Sequence, residues 1–416
     1  MKIAFLVWEY PPRIVGGLGT FAQNIAPEMV RQGHEVTIFT INPGDLKTEE
    51  VMEGVRVFRP LLVDASDVFP GVVAEDLRRW GKALKFFSDL FVYNLLSASA
   101  AVNLVRRGGE RFDVICAHDW LSAMGGMILQ KELKAPLVLH MHSTEWGRAM
   151  DSGSETVRNI EETAGRRADR VVTVSYPMEE DLVRHGWDAS KIRVVWNGVW
   201  PDRYNPAAAD PRKVEALRAH YGIGKGETLV LFVGRLTSVK GAVQLVQGFP
   251  EVLSAHPGAR LVILGAGELD QTVAGLIRTL GLERQVKTCL RFVSEEERIL
   301  HYAACDVAVL PSLYEPFGIV SLEAMAMGKP VVVGASGLSG FKDQVVPSGE
   351  EQTGVHVDGR NPSDIAWGIK ALLHDMERAR EMGGRGRQRV LKYFTWERAA
   401  KATLEVYQEA VAAAKR

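Results

Sequence analysis

Short apolar runs alternate with helical patterns along the whole chain. Six runs predict buried strands in the first half, at residues 2–8, 35–40, 113–118, 136–141, 170–175 and 191–196. Five more follow at residues 228–233, 259–265, 285–292, 306–312 and 330–334. This alternation is typical of α/β units with parallel sheets. The pattern therefore predicts an α/β chain with two doubly wound, Rossmann-like parallel sheets.

The alternation of apolar runs and helical patterns is interrupted at residues 197–228, where three prolines and several glycines surround one amphipathic segment. A chain of 416 residues also suits two domains of roughly 200 residues each. We therefore predict a first domain at 1–200, a second at 201–390 and a closing segment at 391–416.

The segment "FFSDLFVYNLLSASAAVNLV" (86–105) is long enough to span a bilayer and carries one charge, Asp89. It also carries three serines and two asparagines, whose polar groups are costly in hydrocarbon. We interpret it as a long buried helix of the first domain and expect no stable membrane insertion. A peripheral membrane contact is the alternative.

Net charge, cysteine spacing and the first residues of the chain argue against several classes of protein. A formal charge of −1 argues against a general nucleic-acid binder, which needs a cationic surface. Cys116, Cys289 and Cys305 lack CxxC spacing, so neither a disulfide framework nor a zinc site is indicated. The start "MKIAFLVWEY" has the character of a strand rather than a signal peptide. We therefore expect a cytoplasmic protein.

Ligands of doubly wound sheets bind beyond the carboxyl ends of the strands, where loops and helix N-termini gather. The candidate residues lie there, after predicted strands: Gly16, Gly17 and Gly19, His118 and Asp119, His140, His142 and Glu145, Gly234 and Arg235, and Lys240. Two half-sites that face one cleft are the simplest arrangement.

Two stretches suggest contacts to phosphate. "VGGLGT" (15–20) puts glycines before a helical pattern, where backbone amides can approach an anion, although a ligand-free turn has the same pattern. "GRLTSVKG" (234–241) places Arg235 and Lys240 so that two cations can grip one diphosphate, unless they are surface ion-pair partners. "LGAGEL" (264–269) lacks the third glycine of a dinucleotide fingerprint, since residue 270 is aspartate. No DxD occurs, so we expect cations to replace a divalent metal.

The stretch "EPFGIVSLE" (315–323) supplies two glutamates. A helix that begins near Gly318 and Ile319 exposes free amides to phosphate. Glu323, one turn into that helix, can accept hydrogen bonds from two vicinal hydroxyls, as on a ribose. Glu315, on the preceding loop, is placed to face a sugar.

These motifs together resemble the retaining glycosyltransferases of family 4, which have the GT-B architecture. "EPFGIVSLE" matches the E-x7-E motif, "GRLTSVKG" the phosphate-gripping pair and "VGGLG" the N-terminal glycine loop. "AHDWLSAMGG", "VLHMH", "VTVS" and "WNGV" are most similar to the glycogen and starch synthase branch. The resemblance covers essentially the whole chain, including "FTWERAAKATLEVYQEA" (394–410), which in this family is a helix that crosses back onto the first domain.

The resemblance implies transfer of a hexose, with glucose favoured, from ADP- or UDP-glucose to an α-glucan, with no cofactor and no metal. It implies the following roles. The catalytic residues are Glu315, His142, Arg235 and Lys240; the donor is bound by Gly17, Arg235, Lys240, Gly318, Ile319, Glu323, Gly337 and Leu338; the sugar or acceptor is lined by Gly16, Asp119, His142, Glu145 and Asn197.

Two stretches depart from the branch. The loop "ASGLSG" (335–340) keeps only Gly337 and Leu338 of the usual T-G-G-L, and "HSTEWGRAMDSG" (142–153) replaces an aromatic-rich segment on the acceptor side. Glu145 and Arg148 are candidates for contacts to a charged acceptor. A small saccharide, glycerate or lipid acceptor therefore stays an alternative. A non-catalytic sugar-nucleotide sensor should lack Glu315, Arg235 or Lys240, all of which are present, and an epimerase of this architecture is not expected to carry the complete E-x7-E motif. A homo-oligomer is compatible with the sequence.

Overall fold

The computed structural model describes residues 1–68, 71, 75, 79, 81–150 and 153–415. The chain divides into two compact units. The first contains Met1–Trp196 together with Trp396–Arg416, and the second contains Asn197–Thr395. The closing helix therefore belongs to the first unit.

The first unit is built on an eight-stranded sheet in the order β3-β4-β2-β1-β5-β6-β7-β8. All neighbouring strands are parallel except β3 and β4, which are antiparallel at one edge. The strands are β1 Lys2–Leu6, β2 Glu35–Phe39, β3 Glu49–Met52, β4 Val55–Phe58, β5 Val114–His118, β6 Leu137–Met141, β7 Arg170–Thr173 and β8 Ile192–Val194.

The described helices of the first unit follow the strands and cover the sheet. They are α1 Gly17–Arg31, α2 Leu84–Arg106, α3 Asp119–Leu133, α4 Glu145–Arg148, α5 Glu155–Arg167, α6 Tyr176–Arg184 and, from the end of the chain, α15 Trp396–Ala414. Helix α15 packs against α1 and against β5, β6 and β7. Its buried face includes Trp396, Leu404 and Tyr407.

The second unit is built on a six-stranded parallel sheet in the order β11-β10-β9-β12-β13-β14. The strands are β9 Thr228–Val233, β10 Ala259–Leu264, β11 Val286–Cys289, β12 Val307–Leu310, β13 Val331–Gly334 and β14 Gly354–Val357. The helices are α7 Pro211–His220, α8 Ala242–Ala255, α9 Asp270–Thr279, α10 Glu295–Ala304, α11 Ile319–Ala326, α12 Phe341–Gln344, α13 Pro362–Leu373 and α14 Met376–Tyr393.

Each sheet reverses its winding once. In the second unit the chain order across the sheet is 3-2-1-4-5-6, so the reversal lies between β9 and β12, and in the first unit it lies between β1 and β5. A doubly wound sheet binds its ligands at the carboxyl ends of the strands that flank such a reversal. The predicted α/β class with two doubly wound parallel sheets is confirmed, and all eleven predicted strands are present.

Helix α2 is the one described helix long and apolar enough to cross a membrane, a test that core helices of soluble proteins also pass. In the structure 44% of its apolar window is buried. The Tyr93 hydroxyl donates to the Phe39 carbonyl at 3.0 Å, and the Asn94 amide donates to the carbonyls of Leu90 and Leu121 at 2.8 Å. The Asn94 amide is thus satisfied inside the first unit, whereas the hydroxyls of Ser88 and Ser97 are buried without a hydrogen-bond partner among the described residues.

Candidate active site

The carboxyl end of β9 in the second unit brings Lys240 onto Glu315. After β9 the chain forms a 3₁₀ turn at Ser238–Lys240 that ends at Gly241 with φ = 75°. A Cβ at Gly241 would lie 2.0 Å from the Pro311 carbonyl oxygen, so only glycine lets this turn approach the end of β12. The Lys240 Nζ then lies 2.6 Å from the Glu315 Oε2. Two residues that are distant in sequence thus form one partly buried ion pair.

Glu315 is fixed from several sides. Its side chain is 7% exposed and accepts a second hydrogen bond from the Ser312 hydroxyl at 3.1 Å. Its backbone pairs with the loop 335–340, because its N–H donates to the Leu338 carbonyl at 3.2 Å and its carbonyl accepts from the Gly340 N–H at 2.7 Å. The carboxylate is therefore held in one orientation before any ligand arrives.

Helix α11 begins at this position without a side-chain cap. Its N-cap Gly318 has φ = 87°, and a Cβ there would lie 2.2 Å from the Phe341 ring. The predicted start at Gly318 and Ile319 is therefore observed, and the sharp turn requires glycine. Uncapped first-turn amides beside Lys240 and Glu315 form an environment that suits an anion.

Arg235 follows β9 directly, and its side chain is exposed. The Thr237 N–H donates to the Arg235 backbone carbonyl at 3.0 Å, but no hydrogen bond or ion pair joins the Arg235 side chain to another described residue. The alternative that Arg235 is a surface ion-pair partner has no support among the described residues. The structure leaves its guanidinium available to a ligand. Gly337, on the loop 335–340, is likewise exposed, and its carbonyl accepts from Lys342 at 2.8 Å.

Glu323 lies in a different environment from Glu315. The residue is 4% exposed, and its carboxylate accepts four hydrogen bonds from protein groups. Arg298 donates to both oxygens at 3.0 Å, the Tyr204 hydroxyl donates at 2.7 Å and the Tyr302 hydroxyl at 3.0 Å. A carboxylate offers about four such positions, so all of them are occupied.

This occupation changes the expectation for Glu323. A ribose diol would have to share or replace donors from Arg298, Tyr204 or Tyr302, so the predicted ribose contact requires a rearrangement. Burial opposes the charge of Arg298, but the Glu323 carboxylate raises the pKa of that guanidinium. Burial, followed by the same carboxylate, raises the pKa of both tyrosines. These four side chains form a buried polar cluster next to α11, in which the charges of Glu323 and Arg298 balance.

The first unit places three histidines at the carboxyl ends of β5 and β6. His118 is stacked between Phe5, at 4.2 Å between ring centroids, and His140, at 4.4 Å. The Nδ1 of His118 lies 3.0 Å from the Nε2 of His142. Burial lowers the pKa of all three imidazoles. They are therefore neutral near pH 7.

Asp119 holds the backbone of the next strand end. It has φ = 53° and is 5% exposed. Its carboxylate accepts from the backbone N–H of His142 at 2.7 Å and of Ser143 at 3.4 Å. Asp119 therefore positions His142, a role that its place after β5 did not by itself reveal.

The glycine loop before α1 is already occupied by a side chain. The Glu9 carboxylate accepts from the backbone N–H of Val15 at 2.9 Å and of Gly16 at 3.0 Å. The predicted anion contact at Gly16 and Gly17 thus has an internal carboxylate beside it. Sequence reasoning overlooked Glu9, although it lies three residues beyond β1 at the expected edge.

The loop 142–153, described except for residues 151 and 152, is closed by internal ion pairs. Arg148 lies 3.1 Å from Glu145 and 2.9 Å from Glu161, and donates to the Ser143 hydroxyl at 2.6 Å. Glu161 also accepts from the backbone N–H of Glu145. Burial raises the pKa of Glu161 to about 7. Glu145 and Arg148 are thus engaged with the protein itself.

Asn197 opens the second unit, whereas Asp119 belongs to the first. Asn197 is 5% exposed, and its side-chain oxygen is buried without a hydrogen-bond partner in the described part of the chain. Its predicted contact with a sugar or acceptor stays a prediction.

Among the described residues, one cluster offers metal-ligand atoms within 4.8 Å of one another, the three histidines. Their rings are nearly parallel, at 16–29°, rather than convergent on a point. A metal would also displace the hydrogen bond between His118 and His142. The expectation of metal-independent chemistry stays a prediction.

Two family models match consecutive parts of the chain. The model described as "Glycosyltransferase Family 4" matches residues 15–203. The model described as "Glycosyl transferases group 1" matches residues 213–389. Each lies largely within one of the two units.

Full-length relatives agree with the family models. The chain is 33% identical to an uncharacterized glycosyltransferase of Methanocaldococcus jannaschii over 99% of both proteins. It is 31% identical to a glycogen synthase of Mycobacterium tuberculosis over 98% of this chain and 94% of that protein.

A solved structure, the sucrose-phosphate synthase of Thermosynechococcus elongatus, matches with a TM-score of 0.78. The match covers 99% of both chains at 24% sequence identity. At that identity the similarity concerns the fold alone.

Proposed function

The chain belongs to the glycosyltransferases of the family 4 type, and we propose that it transfers glucose from ADP- or UDP-glucose to an α-glucan. The expected family and GT-B fold class are confirmed. Similarity to a glycogen synthase across nearly the whole chain supports the choice of donor and acceptor.

The observation that carries the proposal is the partly buried ion pair of Lys240 and Glu315, at 2.6 Å. It lies where the second sheet reverses its winding, beside the uncapped start of α11. A lysine ammonium has three donors, and Glu315 takes one of them. The others can bind an anionic oxygen, so one diphosphate and one sugar can meet this pair at the same time.

Arg235, exposed and close in sequence, supplies a second cation for the diphosphate. Two cations and the first amides of α11 can neutralise the charge that the diphosphate gains as it leaves. Stabilisation of this kind takes the place of a divalent metal in the proposed reaction.

The proposed reaction is a front-face substitution that retains the anomeric configuration. The bond between the anomeric carbon and the diphosphate oxygen breaks, and the pair of electrons leaves with the diphosphate. A diphosphate oxygen then takes the proton of the acceptor hydroxyl while the new glycosidic bond forms on the same face. Glu315 stabilises the positive charge that develops on the sugar, because its carboxylate is already oriented and shielded from water.

Glu323 contributes to this site by holding α11. Four protein donors fix its carboxylate, so the helix start at Gly318 and Ile319 has a rigid support. A ribose contact remains part of the proposal only through exchange with these donors.

The test is a donor and acceptor screen that measures release of nucleoside diphosphate. ADP-glucose and UDP-glucose are each offered with glycogen, with a small saccharide, with glycerate, with a lipid acceptor and with no acceptor. We expect glycogen-dependent release from at least one donor, and Lys240→Ala is the matched inactive control. Release that requires a different acceptor would contradict the glucan assignment, and release without any acceptor would indicate hydrolysis.

A further inference from the structure

The hydrogen bonds of the stacked histidines in the first unit determine which ring nitrogen of each imidazole carries the proton. A neutral imidazole carries one N–H and one bare lone pair, and its hydrogen bonds decide which nitrogen holds the proton. His118 uses its Nδ1 to meet His142, while its Nε2 is buried without a partner among the described residues. One of the two rings must donate in this contact, and the other must accept.

The buried Nε2 of His118 decides between the two arrangements. If His142 donated, His118 would carry its proton on Nε2, and a buried N–H would lack an acceptor. If His118 donates from Nδ1, its Nε2 is only an unused lone pair. Buried donors without an acceptor are rarer in proteins than buried acceptors without a donor. His118 is therefore the donor, and the Nε2 of His142 is the acceptor.

The same requirement, that a buried N–H has an acceptor, determines the tautomer of His140. The Nε2 of His140 lies 2.9 Å from the Tyr407 hydroxyl, and its Nδ1 is buried without a partner in the described structure. Tyr407 also contacts the Cys116 thiol, which lies 3.5 Å from the Ala4 carbonyl. A donor chain from His140 to Tyr407, Cys116 and Ala4 satisfies every hydrogen and leaves only a lone pair on Nδ1.

The remaining proton of His142 is on Nδ1. That nitrogen has no hydrogen-bond partner among the described residues, and the ring is partly exposed. Asp119 holds the backbone of His142, and Phe21 packs on its ring at 4.6 Å. The ring is therefore fixed, and its Nδ1–H remains available to a ligand.

We propose that His118 is a positioning residue that fixes His142 as the Nδ1–H tautomer, so that His142 serves as a neutral hydrogen-bond donor and not as a base. That the bound partner is a hydroxyl or phosphate oxygen of a sugar nucleotide rests on the proposed function. The tautomer itself does not, because the free protein sets it.

The experiment measures tautomers by long-range ¹H–¹⁵N correlation in protein labelled at histidine, with no substrate, near pH 8. His142→Gln assigns the resonances of His142. We expect a protonated, pyrrole-type Nδ1 and a bare, pyridine-type Nε2 for His142 in the wild type. An Nε2–H tautomer of His142 in the wild type would overturn the proposal.

Two variants separate positioning from packing. His118→Phe keeps a ring between Phe5 and His140 but removes the donor, and His118→Asn keeps an N–H donor of similar reach. We expect His118→Phe to shift His142 toward the Nε2–H tautomer and His118→Asn to retain Nδ1–H, with the signals of His140 unchanged in both. Equal tautomer populations of His142 in the wild type and His118→Phe would also overturn it.

Kinetics supply a second readout once a donor is found. We expect His118→Phe to lower kcat about tenfold with little change in KM, and His118→Asn to restore most of it. If no sugar nucleotide supports turnover, the proposed function fails while the tautomer result stands by itself. If kcat of His118→Phe equals that of the wild type, the donor role of His142 fails.

Discussion

Replacement of Arg298 by methionine tests the buried support beneath α11. The change keeps the alkyl stem but removes the guanidinium, so Glu323 loses two of its four donors. Glu323 is 4% exposed, so its carboxylate would lose its compensating cation in a site that water hardly reaches. The hydroxyls of Tyr204 and Tyr302 would remain as its only donors.

The magnitude follows from burial. Loss of one partner from a buried ion pair costs about 3–5 kcal/mol. The Arg298 side chain is 21% exposed, so water can reach one side of the vacated position. We therefore expect about 3 kcal/mol, near the lower limit of that range. Because a 1.36 kcal/mol change is tenfold in an equilibrium constant, opening of this region should become roughly 10²-fold more frequent.

The assay is native-state hydrogen exchange read on peptides from α10 and α11, because two units need not unfold together. Arg291→Met is the matched control, since Arg291 is 59% exposed and pairs with Glu297 next to the same helix. A surface pair of this kind is worth about 0.2–1 kcal/mol. The loss in free energy of opening of the double variant Arg298→Met/Glu323→Gln should be smaller than the sum of the losses of the two single variants.

Exchange of α11 that is no faster in Arg298→Met than in Arg291→Met would contradict a supporting role of Arg298. Additive costs in the double variant would show that Arg298 and Glu323 do not support each other. In either case exchange of these donors for a ribose diol would cost Glu323 little free energy.

The remaining predictions concern charge, backbone and metal. The pKa of Glu161 rises from its ordinary value of 4.5 to about 7 in the folded chain, so folding favours the protonated carboxyl. The contribution of Glu161 to the free energy of unfolding is therefore complete below about pH 4.5, and up to about 3 kcal/mol of it is lost as the pH rises toward 7. Exchange protection of the loop 142–150 should therefore fall over that window in the wild type and stay flat in Glu161→Gln. Lys240→Ala should lower kcat by about 10²–10³-fold, the usual effect of removing one preorganised charge-stabilising group, and a change in KM alone would indicate uniform binding instead. Gly318→Ala places a Cβ against the Phe341 ring at a residue with φ = 87°, so it should lower the free energy of opening of α11, measured by hydrogen exchange, by at least about 1–3 kcal/mol. Gly384→Ala is the control, because its Cβ meets open space and should not lower that free energy. EDTA should leave turnover unchanged, and restoration of lost activity by Mg²⁺ or Mn²⁺ would contradict the metal-free reaction.

The sequence predicted the sheets because their strands are long apolar runs between helices. It did not predict β3 and β4, which carry charged residues and are only four residues long. Their connection is a two-residue turn at Glu53 and Gly54, both with positive φ, and this signal could have revealed the pair. Strand β14 was also overlooked, since "GVHV" is short and follows a polar loop.

The site was predicted where motif and geometry coincide and overlooked where partners are distant in sequence. Lys240 and Glu315 follow strand ends, so the α/β pattern alone brings them to one edge. Nothing local in the sequence links Glu323 to Tyr204, 119 residues earlier, or to Arg298, 25 residues earlier. Their contact depends on how α10 packs beside α11, which periodicity does not specify.

Incorporation of labelled glucose from ADP- or UDP-glucose into glycogen, measured for the wild type and for Glu315→Gln, tests the proposed role of Glu315. The variant keeps the size and hydrogen bonding of the side chain but removes the charge beside Lys240. We expect incorporation by the wild type and a kcat that is lower by roughly 10²-fold or more in Glu315→Gln, with donor affinity little changed. Wild-type activity that survives in Glu315→Gln, or equal loss of donor binding in Glu315→Gln and Glu323→Gln, would contradict it.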